Sequence, residues 1–197
     1  MKITPLEPGN FYHYYNRGNN KENLFRSDNN YQYFISLMFK YLPAVADVYS
    51  YCLLPNHFHL ILRIKDEHQL SFEYFNQRQI SQPFSNFFNA YAKAFNKMYC
   101  RTGSLFQKHP KRIKVNNSDY LKNLIIYINT NSSHHGIANF ETYKYSSYLD
   151  LISNVPAEIS RKEVISLFDD VENFKLTLKM KKDFTLSNLP GLIDLVG

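Results

Sequence analysis

The chain has 197 residues, 44% of them hydrophobic, enough for one substantial core with room for an appendage. No window approaches the roughly 18 apolar residues of a membrane span, "MKITPLEPGNFYHYY" lacks the apolar stretch of a secretory signal, and two cysteines, Cys52 and Cys100, read as free thiols in a reducing cytoplasm. The net charge of +6 sits in the first 155 residues, which hold 17 Lys/Arg against 10 Asp/Glu, and that balance favours polyanionic partners.

Aromatic-rich "FYHYYN" (Phe11–Asn16) predicts a first strand. A cap at Ser27 or Asp28 then introduces Phe34, Leu37, Met38, Tyr41 and Leu42, spaced as one helical face, and Pro43 stops that helix. "VADVYSYCLL" is β-prone, Pro55-Asn56 makes a tight turn, and His57–Ile64 returns as its hairpin partner. Lys65–Pro83 is polar and mixed, a loop of moderate length. Phe84, Phe87, Phe88, Tyr91, Phe95 and Met98 mark a second amphipathic helix. "RTGSLFQKHPKRIKV" (Arg101–Val115) holds five Lys/Arg and no acid, and its "KRIKV" is a short basic strand. Ser118 or Asp119 caps a third helix with the core stripe Leu121, Leu124, Ile125 and Ile128. Beyond Pro156, "RKEVISLF" predicts one more helix. The tail "DFTLSNLPGLIDLVG" is apolar enough to dock back over the body or a dimer surface. The order β-α-β-β-α-β-α predicts an α+β fold: a ferredoxin-like split βαβ antiparallel sheet with helices on one face and one further helix appended.

Strand alternation sharpens one segment, "LLPNHFHLIL". Phe58, Leu60, Leu62 and Ile64 form an unbroken apolar face, so His57 and His59 emerge together on the other. Two readings stay open at this point: a metal site, or two structural histidines each satisfied by a private partner. On the third helix Tyr127 and Asn131 are i and i+4 neighbours on the rim of the buried stripe. His109, His134 and His135 are weaker ligand candidates. Exposed rings among Tyr12, Tyr14 and Tyr15 would serve to stack on unpaired bases.

"YHYYNRGNNKENLF", "YCLLPNHFHLIL", "GSLFQKHPKRIKV", "DYLKNLIIYINTN" and "YKYSSY" occur in an order and spacing that resembles the REP-associated tyrosine transposases of the HUH superfamily. The similarity spans roughly Phe11 to Tyr148. It implies that His57, His59 and Asn131 hold a divalent metal, Mg²⁺ or Mn²⁺, and that Tyr127 on the appended helix is the catalytic nucleophile. It implies DNA contact by Asn16 and Arg17. Lys108, Lys111, Arg112 and Lys114 would neutralise backbone phosphates. Residues 1–155 then form the catalytic domain and 156–197 a helical extension and tail. One departure stands out: the family's proline after the asparagine is missing, and the run reads Asn131-Ser132-Ser133-His134-His135-Gly136.

The activity implied is metal-dependent single-strand DNA cleavage and strand transfer through a 5′-phosphotyrosine, on single-stranded, hairpin or palindromic repeat DNA, with no membrane partner and a possible homodimer. Two alternatives stand beside it. One is a domesticated module that holds hairpin DNA or RNA without cutting, the other a metallonuclease that uses water.

Overall fold

A computed structural model describes residues 4–74 and 77–181. Among them, four strands form one antiparallel sheet: β1 (Phe11–Arg17), β2 (Ala46–Leu54), β3 (His57–Ile64) and β4 (Lys111–Val115), in the spatial order β2-β3-β1-β4. Helix α1 (Asp28–Tyr41) joins β1 to β2, and α2 (Gln77–Met98) joins β3 to β4. This is the split βαβ arrangement expected from the element order. Four helices follow: α3 (Ser118–His134), α4 (Tyr148–Ile152), α5 (Arg161–Ser166) and α6 (Val171–Met180). No helix among the described residues is long and apolar enough to cross a membrane.

The side-chain period of two divides the packing. Even-numbered residues of β1 and β3 face α1 and α2. Tyr14 stacks on Phe84 at 5.0 Å, and Phe58 meets Phe34 at 5.1 Å and Phe88 at 5.4 Å. Odd-numbered residues face α3. A register shift between Val48 and Ser50 sets Ser50, rather than Tyr49, opposite Ile61. That bulge reverses the alternation, so Ser50 and Cys52 also point at α3.

The free edge of β2 is covered. Tyr145 O accepts from Leu53 N, Tyr51 O from Ser147 N, and Val48 O from Ser160 N. The C-terminal helices join the same core: Phe174 packs on Phe168 at 5.0 Å and on Tyr148 at 6.1 Å, and Leu178 is fully buried.

Several expectations need correction. Helix α2 begins at Gln77, inside the stretch read as loop, and carries Pro83 within it. Ile80 is the reason: with Phe84 and Phe87 it continues the buried stripe one turn upstream, and burial outweighs the missing N–H of proline. Met98, assigned to that stripe, is 59% exposed. The α3 cap is Asn117, one residue earlier than expected, whose side chain accepts from Tyr120 N at 2.7 Å. A second helix, α6, follows α5. Tyr12, Tyr14 and Tyr15 are all buried, so none offers a surface for base stacking. The free thiols differ, Cys52 being buried and Cys100 exposed. The apolar tail "DFTLSNLPGLIDLVG" lies outside the described residues.

Candidate functional site

β1 and β3 pair with Tyr15 opposite His59 and Arg17 opposite His57. The Pro55-Asn56 turn starts β3 so that both histidines fall on the α3 face. That face is not open to solvent: His57 is 7% exposed, His59 and Asn131 0%, and Tyr127 2%. Tyr127 and Asn131 therefore lie inside the packing, not on its rim. Every residue from Leu124 to Ser132 is buried, because α3 is enclosed by the sheet on one side and by the C-terminal helices on the other.

A closed hydrogen-bond ring docks α3. Asn129 Nδ2 donates to Ser50 Oγ at 2.9 Å, Ser50 Oγ lies 2.9 Å from Ser147 Oγ, and Ser147 Oγ donates to Asn129 Oδ1 at 2.8 Å. Tyr51 N donates to Ser147 Oγ at 3.0 Å. A ring in which each hydroxyl and amide both donates and accepts leaves no buried polar group uncompensated.

This docking brings the Tyr127 ring to the histidine pair, with Asn131 buried one turn further along the same helix. The His57 and His59 rings are 5.2 Å apart at 86°, and the Tyr127 ring stands edge-on to His59 at 6.0 Å. His135 approaches His57 at 4.9 Å and His134 approaches Tyr127 at 5.6 Å. His57 Nδ1 donates to Asn56 Oδ1 at 2.7 Å, so in the neutral ring Nε2 carries a lone pair. His59 Nδ1 shares a 2.9 Å hydrogen bond with His13 Nε2.

Burial controls the protonation of these groups. It holds His57 down to about 3, with His135 and Arg17 adding to the effect, and it holds His59 well below the usual imidazole value, with His13, His57 and His135 adding there. It also pushes the Tyr127 phenol up, with the Cys52 thiol adding and the Asn131 amide opposing. The amide is close enough for that influence without a hydrogen bond of normal geometry.

Imidazole nitrogens and an amide oxygen are donors of the kind divalent ions take. Buried His57 Nε2, His59 Nε2 and both amide atoms of Asn131 have no hydrogen-bond partner, an arrangement that costs free energy unless something fills it. Among the described residues no three His, Cys, Asp or Glu side chains gather at metal-binding distance.

The residues expected to touch DNA are not gathered on one surface. Asn16 is buried, its amide donating to Gln107 O at 3.2 Å and accepting from Arg17 N at 2.8 Å. Arg17 lies on the α3 face beside His57. Alternation sends Lys111 to that face, opposite Tyr15, and Arg112 and Lys114 to the other, opposite Tyr14 and Tyr12. Arg112 lies over the Tyr14 ring at 5.6 Å, Lys114 pairs with Glu7 at 2.7 Å, and Lys108 is exposed in the preceding loop. Asn16 and Arg112 line a cleft of about 420 Å³ between α2 and the 103–110 loop. Gly18, after Arg17, has a packing reason: a Cβ there would stand 1.9 Å from Glu22 O.

Sequence reading passed over His13, Asn56 and the Ser50–Asn129–Ser147 ring. The parity of His13 with Tyr15 and Arg17 was visible, but its partner is set by the β1–β3 register.

No family model matches the sequence, and no curated protein matches it. A solved structure does match: a REP-associated tyrosine transposase bound to a REP hairpin, with a TM-score of 0.56 and 16% identity, covering 79% of this chain and 88% of that one. At that identity the likeness is one of fold. The chain has the α+β fold of that transposase.

Proposed function

We propose that the chain is a tyrosine transposase of the REP-associated type that nicks and rejoins single-stranded or hairpin DNA. The observation that carries this reading is the approach of the Tyr127 ring to His59 and of His59 to His57, with Nε2 of both histidines and the Asn131 amide left without hydrogen-bond partners. A fold shared with a transposase solved on a REP hairpin supports the choice of substrate.

In the proposed reaction Tyr127 Oη attacks the phosphorus and the P–O3′ bond breaks. The phenol's proton ends on the departing 3′-oxygen, leaving a 5′-phosphotyrosine that a second 3′-hydroxyl can later attack. His57, His59 and Asn131 would hold Mg²⁺ or Mn²⁺, which when bound withdraws charge from a non-bridging phosphate oxygen. Docking of α3 orients the phenol toward the histidine pair. Arg17 and Lys111, on the same face, supply positive charge along the approach of the backbone.

The test is to incubate the protein with labelled hairpin DNA and Mn²⁺ and then denature in hot detergent. A labelled protein adduct is expected, and none from Tyr127→Phe. Repeated turnover that survives Tyr127→Phe would point to a water-using nuclease and overturn the reading. The burial of Tyr127 favours one rival, a module that holds hairpin DNA or RNA without cutting, because the hydroxyl must be uncovered before phosphate reaches it. Tight binding with no adduct selects that rival.

A further inference from the structure

His13 is fully buried on β1, stacked on Tyr15 at 4.6 Å, and takes no part in the reaction as proposed. Its Nε2 lies 2.9 Å from His59 Nδ1, and its own Nδ1 is buried with no partner. An imidazole inside a core with one nitrogen unsatisfied is a poor choice for packing alone, where phenylalanine fills the same space without that cost.

The neighbouring pair shows what such a contact does. Asn56 Oδ1 can only accept, so it keeps the proton of His57 on Nδ1 and leaves Nε2 as a donor atom. His59 has the same geometry with an imidazole in place of the amide oxygen: its Nδ1 faces His13 Nε2, either of which can carry the shared proton, and its own Nε2 is unpartnered. We infer that His13 is a positioning residue: it accepts the Nδ1 proton of His59, fixing the ring so that Nε2 presents its lone pair to a divalent cation. A ring hydrogen-bonded through its second nitrogen is also locked in orientation and is the more basic ligand.

The inference rests on the metal reading above, and its test separates the two. Mn²⁺ affinity is measured on the full chain by the loss of free-ion EPR signal, for the wild type, His13→Phe and His13→Gln. Phenylalanine keeps the stack on Tyr15 and removes the acceptor, whereas glutamine places an amide oxygen near the position of Nε2. His13→Phe should weaken Mn²⁺ binding by roughly 10- to 100-fold, and His13→Gln should recover most of it. In parallel, long-range ¹⁵N–¹H correlation on the Mg²⁺-saturated wild type should find the His59 proton on Nδ1.

Wild-type affinity in a folded His13→Phe protein would overturn the inference. So would a His59 proton on Nε2. If His13→Phe fails to fold by circular dichroism, the His59 proton position and the glutamine variant decide. If the wild type itself binds no Mn²⁺, the metal reading falls. The proton position in the metal-free chain then judges His13 alone, Nδ1 supporting it and Nε2 ending it.

Discussion

Buried neutral imidazoles give this protein a pH dependence of definite sign. Burial holds His13 and His57 to about 3 and lowers His59 as well, whereas in the unfolded chain each titrates near 6.5. Between those values the unfolded chain binds more protons than the folded one. Their contribution to stability is therefore present above the unfolded value and is lost as pH falls from about 6.5 toward about 3. The urea midpoint should be lower at about pH 5 than at about pH 7.5, and His13→Phe should flatten that slope. A midpoint unchanged across the interval would mean that the rings are not enclosed as described. The raised Tyr127 phenol works in the opposite sense for chemistry, staying protonated at neutral pH until charge nearby offsets its burial.

At the scale of elements, α3 matters because Tyr127 and Asn131 are only as well placed as the helix that bears them. The ring of Asn129, Ser50 and Ser147 is the polar part of that docking. Ser147→Ala would leave the Asn129 carbonyl and the Tyr51 N–H without their partner. A cost of about 1–3 kcal/mol is expected for each buried group left unpaired, read as a fall in the urea midpoint. If the reading of Tyr127 holds, adduct formation should fall with it at temperatures where the variant is still folded. An unchanged midpoint would show that apolar contacts alone hold α3. The bulge between Val48 and Ser50 is part of the same device, since without it the position opposite Ile61 would present Tyr49.

For the whole molecule, the rings of His57, His59 and Tyr127 approach one another within a single chain, and Asn131 is buried one helical turn from Tyr127. Under the proposed function, each protomer should then cut with its own tyrosine. Mixing Tyr127→Phe with His57→Ala should restore no adduct; a restored adduct would show that α3 is exchanged between copies. Under the same proposal, DNA binding should weaken steeply with salt, since Arg17, Lys108 and Lys111 are among the cations of a chain of net charge +6. A salt-insensitive affinity would separate the basic surface from the binding.

Much of the architecture is written in local pattern. Alternation along His57–Ile64, the Pro55-Asn56 turn and the 3.6-residue stripes of α1 and α3 depend on neighbours in sequence, so element order and fold class could be read directly. The juxtaposition of two histidines on one strand face is equally local. Other features depend on residues far apart in the chain. Helix α2 starts at Gln77 because Ile80 finds a core to enter, despite the polar sequence around it. The tyrosines of β1 are covered, and the basic residues of β4 are divided between two faces, because the sheet is packed on both sides. Asn16, read as a DNA contact, spends its amide on Gln107 and Arg17. His13 acquires its partner only through the β1–β3 register, 46 residues away in sequence. Periodicity states which side of an element a residue occupies; only the tertiary structure decides what stands on that side.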